Sequence, residues 1–457
     1  MALAVGTILS GPAKAENLAD ALVGAYNTSG LLEQNRALLR AADEDVALAV
    51  STLRPIVDFI VAARRNFSET GRNNTVLSRT DTSGLSATLS LDWTLFDNGQ
   101  RESSIASAKE SVLATRQQLL SIEQSVLIRA VAAYVNVALL SENVALRRNN
   151  LRLLGEELRA SEDRFDVGEV TRTDVALSQS SVAAARSALA SAEGQLANAR
   201  AEYEAAVGHA PRNLSGQPPL PAVTRSLEAA QAVAVKWHPD LLAAQHQVAA
   251  AELAVQRASR ALGPTVSAGA QVGLNEAIDS SNFGRDASVS LSMRQRLYQG
   301  GGLNAQVRRA MATRDAARGN LLSVQRAVLQ DVSDAYTRLQ VARSSLTATA
   351  ERVRASRVAF DGIREEATLG ARTTLDVLAA EQELLDSQTE QISARSEESI
   401  AAYQLLQVQG LLTAERLNLA VQIYDPTAYY NLAKTAPAAT SKQSKQLDRV
   451  LKALGKN

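Results

Sequence analysis

The sequence predicts a mainly α fold with a small β part, in which long antiparallel helical hairpins accompany four strands per chain. Three observations lead there. The first is an internal duplication: FDVGEVTRTDVALSQSSVA at 165–183 shares its plan with ATLGARTTLDVLAAEQELL at 367–385, pairing Gly168 with Gly370, Thr171 with Thr373, Asp174 with Asp376 and Val175 with Val377, always 202 residues apart. That offset holds without insertion from Phe96/Tyr298 to Gly208/Gly410. Loops drift in length and rigid elements do not, so the unit reads as two copies of one long helical hairpin, with a glycine at each bend. The second observation is a change of hydrophobic period from 3.6 to 2 after Pro55 and again after Pro264. The third is coiled-coil spacing: Val332, Ala335, Leu339, Ala342, Leu346, Thr349, Val353, Ser356, Phe360 and Ile363 advance by alternating steps of three and four.

Taken in order, residues 1–15, MALAVGTILSGPAKA, hold a short apolar run and then Ala13-Lys14-Ala15, the small-x-small pattern of a secretory cleavage site. Residues 17–53 read as one helix closed by Pro55, and 226–262 as its counterpart closed by Leu262-Gly263-Pro264. The offset here is 209, which assigns the first copy the longer loop after its proline. In 85–95, Leu85, Ala87, Leu89, Leu91, Trp93 and Leu95 alternate with polar residues, and 265–274 repeats the pattern. Weaker alternation at 56–67 and 287–297 completes four strands of about ten residues, joined by polar loops at 68–84 and 275–286, the first marked by Gly71, Asn73 and Asn74. Phe59, Phe67, Trp93, Phe96, Phe283 and Tyr298 cluster in or beside these strands, as an interfacial girdle does. Four strands cannot close a barrel and lipid tolerates no open edge, so a membrane setting requires several chains to share one barrel.

Polar and glycine breaks at Asp97-Asn98-Gly99 and Gln299-Gly300-Gly301 precede helices of roughly 65 residues. Each is followed, past its glycine bend, by an alanine-rich return helix, at about 174–207 and 376–409. The proline-rich stretch 209–225 reads as the linker between repeats. The organisation is therefore a signal segment (1–15), a first repeat (16–208), the linker (209–225), a second repeat (226–410) and a C-terminal segment (411–457) whose lysine-bearing end is expected to be mobile.

Composition narrows the function. Basic and acidic residues are equal at 48 each, which leaves no excess of positive charge for nucleic acid. The absence of cysteine excludes disulfides and thiolate metal sites and fits an oxidising compartment. No stretch approaches the roughly 20 apolar residues of a spanning helix. His209, His238 and His246 share no metal-ligand spacing, Gly300-Gly301-Gly302 lacks the Lys-Ser/Thr of a phosphate loop, and no nucleophile–base ordering stands out, so neither a cofactor nor an enzyme is expected.

From about 16 to 430 the chain resembles the TolC family of outer-membrane channel proteins. The residues that carry this are VGEVTRTDV and LGARTTLDVLAAEQELL at the bends, LSLDWTLFDNGQR and LSMRQRLYQGGGLN at the strand-to-helix joints, and IYDPTAYY at 423–430, the last more typical of the type I secretion branch. The resemblance implies a homotrimer in the Gram-negative outer membrane, with a twelve-stranded barrel continuous with a periplasmic helical tube. It also implies a membrane-fusion adaptor and an inner-membrane ABC or other export transporter as partners, and proteins or small toxic compounds as cargo. It makes Gly168 and Gly370 the bends where the tube narrows and adaptors dock, Asp174 and Arg372 a latch that holds the entrance shut, and Asp376 the pore constriction. Ala367 stands where known members carry a latch tyrosine, and Ala379 where a second acidic ring would fall. The alternative from another class is a soluble periplasmic coiled-coil adaptor or tether.

Overall fold

The computed structural model describes residues 15–73, 75–278, 281–439 and 441–453. The first repeat runs α1 (Leu18–Thr28), α2 (Gly30–Ser51), β1 (Ile56–Arg72), β2 (Thr75–Phe96), α3 (Gln100–Asp166) and α4 (Arg172–Val207). The second runs α5 (Leu227–Trp237), α6 (Pro239–Arg260), β3 (Thr265–Ala277), β4 (Phe283–Arg294), α7 (Gly302–Thr368) and α8 (Thr374–Val408), and α9 (Pro426–Ala433) and α10 (Lys442–Ala453) follow. Both long helices have 67 residues, and their first and last residues differ by the offset of 202. One compact unit comprises the chain up to residue 36 with 118–241 and 324–424; the other comprises 37–117, 242–323 and 425 onward.

Several boundaries depart from expectation. The helix expected over 17–53 is two, because Ser29 adopts an extended backbone between α1 and α2. The one expected over 226–262 breaks in the same way at His238, where Pro239 opens α6 as a first-turn residue that needs no N–H partner. The loops expected at 68–84 and 275–286 are mostly strand, so the extra length of the first copy lies in β1 and β2 and not in a loop. The ladder outlasts the apolar alternation because cross-strand ion pairs, Arg65–Asp81 and Arg79–Glu69, hold its outer part where no apolar face is needed. The C-terminal stretch expected to be mobile folds as α10, which packs Leu447 against Tyr429 and Ala433 of α9. One window of α3 passes the length and composition test for a spanning helix, and most of it is buried within the chain. Residues 1–14 of the expected signal segment and Asn74 lie outside the described residues.

In the first unit the core is alanine-rich. Val328, Val332, Ala335 and Leu339 of α7 interlock with Ala401, Ala402 and Leu405 of α8 and with Ala230 and Ala234 of α5. Seven of the ten residues in the predicted α7 stripe are buried, and Leu346, Val353 and Ile363 are half-buried. Small side chains bring the helix axes close, so a thin core suffices.

In the second unit the strands form one antiparallel sheet in the order β1-β2-β3-β4. Residues directly opposite share a face. The register Phe59↔Leu89, Leu89↔Val272 and Val272↔Ala287 therefore aligns Val57, Phe59, Val61 and Ala63 with Leu85 to Trp93, Val266 to Leu274 and Ala287 to Met293 on one apolar face. The other face carries Asp58, Ser86, Thr88, Ser90, Ser267, Gln271, Ser288 and Ser290. Among the described residues nothing covers the apolar face on β4: Val289 is 89% exposed and Leu291 72%.

Candidate channel entrance and membrane rim

The two hairpin bends are built alike. α3 ends with Gly168 at φ +81°, its N–H bonded to the Phe165 carbonyl (3.0 Å) and the Glu169 N–H bonded to the Arg164 carbonyl (2.9 Å). α7 ends with Gly370 at φ +77°, and the Gly370 and Ala371 N–H groups bond the Ala367 and Glu366 carbonyls at 3.1 and 2.9 Å. This is the left-handed glycine cap that satisfies the last carbonyls of a helix. A reciprocal N-cap then restarts the chain. Asp174 N–H donates to the Thr171 hydroxyl oxygen while the Asp174 carboxylate accepts from the Thr171 N–H (2.9 Å) and hydroxyl (2.7 Å). Thr373 and Asp376 repeat these bonds at 3.0 and 2.9 Å.

These bonds fix the charge at the bend. Hydrogen bonds from the Thr373 backbone and hydroxyl, with the nearby Arg372 guanidinium, hold the Asp376 carboxyl below the usual carboxylate range, and Thr171 does the same for Asp174. Both are half-buried, and both are ionised at neutral pH. Arg372 Nε donates to Glu366 at 2.7 Å, so within one chain it pairs with the end of its own α7 and not with Asp174. One site residue escaped the sequence reading. Glu381, 6% exposed, accepts from Asn150 Nδ2 at 3.0 Å and so bonds α8 to α3. It lines a cavity of about 380 Å³ with Asn150, Leu154, Leu378 and Leu385. In the sequence it is one of two glutamates in AAEQELL, with nothing to mark it as buried.

At the sheet, the strand aromatics share the apolar face, since Phe59 pairs with Leu89, Phe67 with Asp81, Trp93 with Ala268, Phe96 with Val266 and Phe283 with Glu276. They fall into two levels. Phe67 and Phe283 lie near the hairpin turns, each with an arginine over its ring (Arg65 at 4.9 Å, Arg285 at 5.7 Å). Trp93, Phe96 and Tyr298 lie at the helical end, where Trp93 Nε1 donates to the Leu53 carbonyl at 3.0 Å, and Phe59 sits three residues into β1 from that end. Aromatic levels above and below an exposed apolar band are the pattern of a membrane-crossing sheet.

The model of the outer membrane efflux protein family matches residues 25–209 and 233–411. The chain belongs to that family. It is 36% identical over 432 residues, 94% of this chain and 93% of the relative, to the outer membrane efflux protein BepC of Brucella suis biovar 1 (strain 1330). Over 139 residues, 30% of this chain and 28% of the relative, it is 30% identical to the outer membrane protein TolC of Escherichia coli (strain K12). Among solved structures it resembles CusC (TM-score 0.76, 16% identity, 86% of this chain and 92% of the other) and the outer membrane protein VceC of Vibrio cholerae (TM-score 0.72, 20% identity, 86% and 96%). This outer membrane efflux protein is thus a TolC-like protein of the Gram-negative outer membrane. Its fold joins long helical hairpins to four strands contributed to a shared barrel. Members of the family are channels. A soluble adaptor or tether is overturned by that membership and by the uncovered apolar face.

Proposed function

We propose that the protein is the exit duct of a tripartite export system. It is a homotrimer that receives cargo from an inner-membrane ABC or other transporter through a periplasmic membrane-fusion adaptor, and it is not an enzyme. The cargo is either proteins of type I secretion, which IYDPTAYY at 423–430 supports, or small toxic compounds, which the name of the Brucella relative supports. Gly168 and Gly370 are the bends that meet the adaptor. Asp174 and Arg372 latch neighbouring helices at the entrance across chains.

The observation that carries this reading is Asp376, a half-buried, ionised carboxylate held by its cap on the first turn of α8, just past the bend. Three-fold symmetry brings three copies around one axis, where they attract cations and repel anions. With Ala379 in place of a second acid, there is one ring and a mild preference. In planar bilayers the wild-type channel should be cation-selective at neutral pH, Asp376→Asn should weaken both that selectivity and block by multivalent cations, and Arg372→Ser should raise conductance. An Asp376→Asn channel with unchanged selectivity and block places the constriction elsewhere. Unchanged conductance in both Arg372→Ser and Asp174→Ala removes the latch.

A further inference from the structure

The chain uses lysine sparingly: of its eight lysines, five (Lys434, Lys442, Lys445, Lys452 and Lys456) fall in the last 24 residues. Arginine supplies the positive charge elsewhere. α10 turns this bias into a surface. Lys442, Lys445, Arg449 and Lys452 follow one another at steps of three and four, which places them on one face of the helix. All four are exposed, and among the described residues none has a hydrogen-bond or ion-pair partner. The opposite face is apolar, and Leu447 and Leu451 pack it on α9. Asp448 is the one acid in the helix.

The position of this face is set by a chain of contacts. The Arg54 guanidinium donates to the carbonyls of Thr435 and Ala436, in the connector between α9 and α10. The Thr435 hydroxyl in turn reaches Gln443 in the first turn of α10. Arg54 lies two residues before β1 begins, and the carbonyl of its neighbour Leu53 accepts the Trp93 indole N–H. Trp93 belongs to the aromatic level at the helical end of the sheet. In an outer-membrane channel whose helices enter the periplasm, that level marks the headgroups of the inner leaflet. The basic face of α10 is therefore tied to the depth at which lipid phosphates lie.

We infer that α10 is a lipid-binding helix whose Lys442, Lys445, Arg449 and Lys452 hold anionic phospholipid headgroups of the inner leaflet against the periplasmic rim of the barrel. Unpaired ammonium and guanidinium groups near an anionic surface gain attraction that neutral headgroups do not provide, and the attraction is screened by salt. Burial of the opposite face on α9 leaves charge, not insertion, as the mode of contact, which distinguishes this helix from one that sinks its apolar face into a membrane.

The test uses the full-length channel extracted from mixed phosphatidylcholine and phosphatidylglycerol bilayers, with retained lipids counted by native mass spectrometry. Wild type should retain phosphatidylglycerol over phosphatidylcholine by several-fold, and 0.5 M salt during extraction should reduce the preference. The combined variant Lys442→Gln, Lys445→Gln, Arg449→Gln and Lys452→Gln should fall to parity, whereas Lys442→Arg, Lys445→Arg and Lys452→Arg together should keep the preference. Bilayer conductance serves as the folding control, because the substitutions leave the α9 contact untouched. Equal phosphatidylglycerol retention in wild type and the glutamine variant overturns the proposal. So does a wild type that shows no lipid preference but binds purified cell-wall sacculi through these four residues, which would assign the face to an anionic wall polymer.

Discussion

Two carboxylates five residues apart on α8 behave oppositely. Asp376 is only half-buried and its cap holds it ionised, whereas burial pushes Glu381 up to about 7, opposed by the Asn150 hydrogen bond and reinforced by Glu157. Asn150 can donate to the carbonyl oxygen of a protonated carboxyl as well as to a carboxylate, so the bond survives protonation while the buried charge does not. Because the folded pKa of Glu381 lies above its usual value of about 4.5, the folded state binds more protons in that interval. Its contribution to stability is full below about 4.5 and is lost as pH rises through about 7. Asp43, fully buried and pushed up to about 6 by desolvation against the attraction of Arg116, shifts stability in the same direction. Glu381→Gln keeps the acceptor and removes the charge. The variant should match wild type in thermal unfolding at pH 5 and exceed it by about 2 kcal/mol at pH 8. A gain of equal size at both pH values would trace the effect to packing and not to the proton.

Repetition at the level of elements reaches contacts that neither copy announces in its sequence. Gly208 and Gly410 occupy equivalent positions beyond α4 and α8, with φ of +92° and +75°. Each receives the end of a short helix: a Cβ on Gly208 would lie 2.4 Å from the Thr28 hydroxyl oxygen, and one on Gly410 2.3 Å from the Trp237 carbonyl oxygen. Thr28 and Trp237 are themselves equivalent, as the last residues of α1 and α5. Gly168 has the same left-handed backbone but open space around it. Gly168→Ala should therefore cost about 1 kcal/mol of backbone strain, and Gly410→Ala on the order of 3 kcal/mol because a backbone carbonyl must also move. Urea unfolding of both variants measures the difference, and equal losses would refute the close-approach argument. The bends were legible in the sequence because glycine, threonine and aspartate each have a local role in a cap. The breaks at Ser29 and His238 were less so: Pro239 marks the second, but its counterpart is Gly30, which has no proline's steric signature. The outer halves of β1 and β2 were not legible, because alternation reports a buried face and the ladder there is held by Arg65–Asp81 and Arg79–Glu69 instead. Glu381 was hidden because burial of one glutamate in a charged helix depends on a partner, Asn150, some 231 positions away.

For the whole molecule, the sheet forces assembly. The order β1-β2-β3-β4 leaves β1 and β4 each with one unpaired edge, and an unpaired edge in hydrocarbon leaves backbone groups without partners. With the apolar face kept toward lipid, pairing either edge with a copy of itself would turn one chain upside down in the membrane. Head-to-tail pairing of β4 with β1 of the next chain satisfies both edges and repeats around a ring. The apolar face continues across such a joint, because Ala287, Val289, Leu291 and Met293 on β4 and Val57, Phe59, Val61 and Ala63 on β1 belong to the same face. The chain contains no cysteine, so a cross-linking scan needs no background removed. With Leu291→Cys on β4 fixed, cysteines placed singly at Val57, Phe59, Val61 and Ala63 should form an interchain disulfide at one or two neighbouring positions, and denaturing gels should show dimers and trimers with nothing larger. Substitutions at Val272, in the interior strand β3, should give no interchain bond with Leu291→Cys. Cross-links that favour β1 with β1, or a ladder that passes three, would mean the strands close by a different rule, and the twelve-stranded barrel would have to be given up.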